Sequence, residues 1–487
     1  MTFGSLAAWG VRKIAVRNGR TLKKQGPAPA IPEAHPVHLH GAPGGNFSVG
    51  FARRETMPGD LLAKKYWMAG FKTGNRVTGA HDPMTVSAMW IGCGNGGILM
   101  ASADCIGLSR CEVNRVRASL VGFAQRTNCK SINISCTHTH AGIDTLGYWG
   151  KPVLGPIPGD GKDAVLMELF LGSIRDVCVK AYENRREGKL FAGCVHVPEA
   201  LGGGRPPTVY HDVLSRIRFV PNDGSPETWL LNFGAHPNTL GGDNSTVSAD
   251  YPHYLREKIN EARETNMLFT VGAIAAMNAG EHCEDRLERT KLQGEILAKA
   301  AFAIENGEPL EPEITVLCQP CYLSIDNGVL ALMGAIKTVN ALKYPCGRGD
   351  LGIALQSELT YLKIGRQQIL LLPGEAKPEV VYGGYASAET SATGLGMEVN
   401  PPPLCDIASD ENLLVFGVTN DMTGYIIAPN DFVLHDTEPY LSSGKDRNGV
   451  NHYHETNSLG YLTAQTIADT FGHMMEKVAY NERLLYT

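Results

Sequence analysis

The 487-residue chain has no run of about 18 uncharged apolar residues, which excludes a membrane-spanning helix. Aromatic residues are scarce at 7%, the formal charge is −6, and no basic stripe carries interleaved aromatics, so a nucleic-acid binder is excluded. No secretory signal is expected: in MTFGSLAAWGVRKIAVRNGRTLKK the apolar part precedes the charges, the reverse of the order export requires. The twelve cysteines form no regular framework. Cys318-Gln-Pro-Cys321 has no second pair to complete a zinc ribbon, and reads as two strand or turn thiols. Cys105, Cys136 and Cys194 lie in apolar, strand-like runs, as free buried thiols do in a reducing compartment, so a cytoplasmic location is expected. After residue 47 there are no repeats and no low-complexity linker, so residues 47–487 are expected to form one domain.

What is present is a soluble globular composition, 43% hydrophobic and 19% charged, with 55 glycines and 28 prolines to supply turns. Residues 1–46, basic and then rich in Pro, Gly and His, read as an extended arm. Residues 1–24 read as a solvated or loosely docked segment, or as a basic amphipathic helix touching a membrane through Phe3, Leu6, Trp9 and Ile14. Short apolar runs predict strands at Thr85–Ile91, Ile98–Ile106, Ile132–Thr137, Leu214–Val220, Trp229–Ala235, Leu268–Met277 and Leu413–Thr419. Three-to-four spacing predicts helices at Glu112–Gln125, Asp163–Arg185, Tyr251–Thr265, Asp285–Ile304 and Tyr461–Tyr480. Residues 353–372 read as a hairpin turning near Gly365. Together these give an α/β class: a mixed β-sheet core flanked by helices, with the site at strand C-terminal ends.

Four clusters carry candidate chemistry. In INISCTHTHAG, His138 and His140 end an apolar strand, and period-two geometry would put both imidazoles on one face. Such a pair binds a metal, or one binds while the other moves protons; alone, HxH is more commonly a pair of solvated loop histidines. In NFGAHPNTLGGDNSTVSADYPHYL, His236 ends another strand; Asp243 and Asp250 are candidates to orient an imidazole, with helix capping the stronger reading for Asp250. In ILLLPGEAKPEVV, Glu375 follows a Pro-Gly turn, where a helix N-terminus would favour a carboxylate in any case. In VFGVTNDMTGYIIAPNDF, Tyr425 follows a fourth strand, and a buried phenol with a bonded hydroxyl competes with a ligand role. Three strands that each end in a turn bearing His or Glu, with a Tyr after a fourth, suit zinc with an open position.

Taken in order, these motifs resemble the neutral/alkaline, non-lysosomal ceramidase family from about Val49 to about Gly472. THTHAG, NFGAHP, LPGE and TNDMTGYIIAPNDF are similar to that family's metal-site segments. GGGRPPTVYHD with LSRIRFVPNDG, and the early VGFARRETMP and ADCIGLSR, fall in the same order. The resemblance implies zinc held by His138, His236, Glu375 and Tyr425, with His140 beside the metal-bound water. It implies Arg205 as the active-site arginine and Tyr453, in NHYHETNSLG, as the tyrosine before a later family segment. Cys283, in NAGEHCEDR, stands where the family has its reactive-site serine, as a nucleophile or a pocket-lining thiol, with His282 beside it. The family's C-terminal β-domain and secretion signal are expected to be missing.

The expected function is therefore zinc-dependent hydrolysis of a carboxamide, an N-acyl amide that is ceramide-like or smaller. The alternatives are a zinc hydrolase of an ester, lactone or activated C–C bond in a small metabolite, and a non-catalytic zinc- or lipid-binding relative. In the amide reading, zinc lowers the pKa of its water from about 16 to about 7, His140 carries the proton to the leaving amine, and Tyr453 or Arg205 stabilises the oxyanion.

Overall fold

The computed structural model describes residues 3–152, 159–205, 209–305, 307–335 and 343–485. Many of the strands are apolar on both faces, and this sets the architecture. Along Thr85–Cys93, every residue is buried. Val86, Ala88 and Trp90 point into one core, while Met89, Ile91 and Cys93 point into another. A strand apolar on both sides must be covered on both sides.

Two mixed sheets result. The nine-stranded sheet runs in the order Thr265–Val271, Glu227–Phe233, Val213–Pro221, Arg186–His196, Phe47–Glu55, Thr85–Cys93, Gly96–Ala103 and Cys129–Cys136, with Glu308–Pro309 added beside Arg186–His196. Its two outermost pairs are parallel and the pairs between them antiparallel. The six-stranded sheet runs Val37–His40, Glu313–Ile325, Ile353–Ile364, Gln367–Leu371 and Leu414–Phe416, with Lys343–Pro345 paired to Ile353–Ile364. Its last pair is parallel.

The sheets pack face to face. Phe47, Met89, Ile98 and Leu230 from one meet Ile314, Val316, Leu362 and Phe416 from the other in a shared core. The outer face of the larger sheet is covered by helices that include Ala164–Glu183, Tyr251–Ala262 and Arg286–Ala303. The outer face of the smaller sheet is covered by helices that include Phe3–Lys24 and Thr463–Leu485. The order of layers is helix, sheet, sheet, helix, so the expected helix-flanked mixed core consists of two stacked sheets.

Four expectations are revised. Of the three thiols expected to be buried, Cys105 and Cys136 are, while Cys194 is exposed. Residues 1–46 are not an extended arm throughout: Phe3–Lys24 is a helix, and Val37–His40 pairs with Glu313–Val316 at the sheet edge. The single helix expected over Glu112–Gln125 is two, Arg110–Ser119 and Val121–Thr127, because Leu120 leaves helical geometry at φ −105°. The strands expected over Leu268–Met277 and Leu413–Thr419 stop at Val271 and Phe416. Beyond them Ala276 and Val418 take positive φ, and the chain coils beneath the site instead of continuing the ladder. The 353–372 hairpin stands as Ile353–Ile364 and Gln367–Leu371, turning at Gly365 with φ +56°.

Candidate metal centre and its cavity

The site lies where strand ends of both sheets meet. His138 follows Cys129–Cys136 and His236 follows Glu227–Phe233, both from the larger sheet. Glu375 follows Gln367–Leu371, and Tyr425 lies beyond Leu414–Phe416, both from the smaller one. A short parallel pairing sets Glu375 directly beside Tyr425. The expected period-two pleat does not orient the first histidine pair. The strand ends at Cys136, and His138 sits in the left-handed region at φ 61°, with its N–H on Cys105 O. That turn, and not a pleat, brings His140 Nε2 within 3.3 Å of His138 Nε2.

The hydrogen bonding of these imidazoles decides what they can hold. His138 Nδ1 donates to Ile106 O at 2.6 Å, and His236 Nδ1 to Met277 O at 3.1 Å. Fixing the proton on Nδ1 leaves each Nε2 with a lone pair. Both Nε2 atoms nevertheless face Glu375 Oε2, at 3.4 and 2.9 Å. Lone pairs converging on a carboxylate in a buried site require positive charge between them, as a proton or a cation. The nitrogen atoms of His138, His140 and His236 all lie within 4.8 Å of one another. This oxygen and nitrogen set could hold a metal cation.

Burial raises the Glu375 carboxyl, but His138 and His236 outweigh it and hold the group well below the usual carboxylate range. Burial and then Glu375, with Tyr453 beside it, push the Tyr425 phenol well above its ordinary value. Burial, with His138 and His236 nearby, holds the His140 imidazole neutral, far below its ordinary pKa. His140 packs against Gly70, whose φ is +102°; a Cβ there would lie 2.7 Å from the His140 ring.

The centre opens into a cavity of about 850 Å³. Ile106, Leu146, Trp149, Val329, Leu330 and Met333 give it an apolar wall. Of the residues that the resemblance assigns to the site, His138, His140, Arg205, His236, Glu375, Tyr425 and Tyr453 line this one cavity. Cys283 does not line it: its Sγ lies 3.3 Å from Asp285 O, and His282 Nε2 is engaged with Gln293 Oε1 at 2.7 Å. Asp243 is exposed and ion-paired with Lys72, while Asp250 caps the helix Tyr251–Ala262 through Tyr251 N, as expected of it.

Arg205 is placed differently from the expected oxyanion partner. Its Nη1 binds both oxygens of Glu455 at 2.9 and 3.1 Å, and its Nη2 binds Asp431 Oδ2 at 2.6 Å. Asp431 also pairs with the fully buried Lys377, the second residue after Glu375. The arginine is thus engaged in a buried ion network that braces the cavity floor. One lining residue escaped the sequence reading: His454, 1% exposed, with Nδ1 lacking a hydrogen-bond partner among the described residues. Its ring centre is 4.6 Å from that of Tyr425 and 4.2 Å from that of Tyr453. Burial, then Arg205 and Lys377, keep it neutral. Its position directly after Tyr453 was the available signal.

The fold and the site define an α/β protein with two stacked sheets and a buried histidine–carboxylate centre at strand ends. The neutral ceramidases have this fold. The neutral ceramidase of Pseudomonas aeruginosa is similar over 90% of this chain and 75% of its own, with TM-score 0.67 and 14% identity. A ceramidase solved in complex with C2 is similar over 90% and 76%, with TM-score 0.68 and 14% identity. No family model matches the sequence, and no curated protein matches it. The resemblance read from the motifs therefore holds at the level of fold, in a widely divergent sequence.

Proposed function

We propose that this chain is a zinc-dependent hydrolase of an N-acyl amide, ceramide-like or smaller. The observation that carries this reading is the convergence of His138, His236, Glu375 and Tyr425 at the closed end of an apolar-walled cavity. In this reading those four residues hold the metal. When bound, the ion supplies a Lewis acid and makes water acidic enough to attack a carbonyl near neutral pH.

The chain's own residues do the rest. The apolar wall takes the acyl chain and aligns the carbonyl with the centre; 850 Å³ is the scale of a site that encloses most of a mid-sized ligand. His140 is neutral and 3.3 Å from His138, so it is placed to take a proton at Nε2 and return it to the leaving amine. Tyr453, at the rim, offers its hydroxyl to the developing oxyanion, and His454 offers a neutral imidazole N–H beside it. Arg205 acts through Asp431 and Glu455 as a positioning residue. No step is assigned to Cys283, which lies outside the cavity lining.

The test is metal analysis of the purified protein combined with mass spectrometry of products from a mixed library of N-acyl amides, esters and lactones. Stoichiometric zinc with release of fatty acid and free amine is the expected result. Zinc with turnover of esters or lactones alone would replace the amide by those substrates, and zinc without any turnover would make the chain a binding protein.

A further inference from the structure

The N-terminal helix Phe3–Lys24 carries six of the chain's 44 basic residues and none of its 50 acidic ones. Its inner side is docked by small residues. Ala8, Ala15 and Gly19 are buried, and a Cβ on Gly19 would lie 2.0 Å from Leu351 O. Its outer side carries a different pattern. Leu6, Trp9, Lys13, Arg17, Arg20 and Lys24 are all exposed, and their three-to-four spacing places them in one stripe along the helix. The stripe begins with two large apolar side chains and continues with four cations; Lys13 Nζ sits 3.8 Å over the Trp9 ring. Ile14, 48% exposed, flanks it.

Position in the fold adds a second, independent observation. The helix packs on Gly328–Ala335, where Gly328 abuts Val11 and Arg12. Val329, Leu330 and Met333 of that second helix form part of the apolar wall of the cavity. Packed helices lie about 8–10 Å apart. Whatever covers the outer stripe is therefore one helix away from the chamber that leads to the metal centre.

We infer that this stripe is a docking surface for an anionic lipid bilayer. Trp9 and Leu6 insert at the headgroup boundary, and Lys13, Arg17, Arg20 and Lys24 meet the anionic headgroups. The positive helix on a chain of net charge −6 orients the molecule with its cavity wall toward the membrane. A long-chain amide then enters from the bilayer, not from solution; this last step rests on the amide-hydrolase reading, whereas the docking does not.

The test uses the full chain and sedimentation with vesicles of phosphatidylcholine, alone or with phosphatidylserine at about one part in three. Binding is expected to the mixed vesicles, weakly or not at all to phosphatidylcholine, and to be lost at about 1 M salt, where screening reaches only about 3 Å. Arg17→Glu with Arg20→Glu, and separately Leu6→Ser with Trp9→Ser, should each reduce binding roughly tenfold or more while leaving the melting temperature unchanged, since all four side chains are exposed. Equal binding to both vesicle types, unaltered binding by both variants, or retention of RNA in place of vesicles would overturn the inference. A second readout separates it from the function. If the amide reading holds, both variants hydrolyse a short water-soluble amide at the normal rate and lose turnover only on a vesicle-embedded long-chain one. If no amide is hydrolysed at all, the sedimentation result still decides the docking surface.

Discussion

At the scale of single residues, the site combines groups whose environments set opposite requirements. Glu375 is held ionised and His140 neutral within one buried cluster. Tyr453 and His454 supply the only polar hydrogens that the proposal aims at the oxyanion. Removing one such donor costs roughly 10²–10³ in rate. His454→Ala is expected to lower kcat by about that factor with KM little changed, and Tyr453→Phe likewise; steady-state kinetics on the best substrate would check both. A change confined to KM would make His454 a substrate-binding residue instead. Asp250 allows a separate test of pH linkage. Burial pushes its carboxyl from 3.8 up to about 6, against the hydrogen bonds from Tyr251 N and Thr239. The folded chain thus holds a proton that the unfolded chain releases near 4. Its contribution is fully present below about pH 4 and is lost as the pH rises through 6. Asn does not titrate, so the stability of Asp250→Asn relative to wild type should improve by about 1.4 kcal/mol per pH unit across that window, read from urea melts. His138 and His236 were legible because each follows an apolar strand into a turn. His454 was signalled only by following Tyr453 directly, and that its ring folds onto Tyr425 is not readable from HETNS.

At the scale of elements, strand ends control the chemistry. The parallel pairs stop where the backbone enters positive φ at His138, Ala276, Val418 and Asn420, and these turns redirect side chains into the cavity. Period-two reasoning placed His138 and His140 together correctly in space and for the wrong reason, since the strand is over before either residue. Gly70 is the matching constraint from the facing loop. Gly70→Ala would place a methyl against the His140 ring at a φ of +102°, costing about 1–3 kcal/mol. If His140 moves the proton, activity should fall by roughly 10²-fold while the protein remains folded, seen by comparing melting temperature with kcat/KM. An activity unchanged from wild type would remove His140 from the mechanism.

At the scale of the whole molecule, the centre joins two sheets that otherwise meet through apolar packing. His138 and His236 come from one sheet, Glu375 and Tyr425 from the other. A cation held by all four would bind only the folded chain and stabilise it by mass action, about 2.7 kcal/mol at a hundredfold excess over Kd. Chelation should therefore lower the melting temperature of the purified protein, and added zinc should restore it. His236→Ala should abolish both responses together with the bound metal. A protein that melts identically with and without chelator and zinc would contradict the assignment. Among the described residues no helix is long and apolar enough to cross a membrane.

The sequence by itself determined the alternating elements, the hairpin at Gly365 and the residues at strand ends, because apolar periodicity and turn chemistry act over a few residues. Only the tertiary structure decided that two sheets stack, that Arg205 is spent on buried carboxylates, that Cys283 lies outside the cavity and that His454 lies within it. Those outcomes depend on contacts between distant segments, such as Arg205 with Glu455, 250 residues apart, and local pattern carries no information about which distant strand ends will share one buried volume.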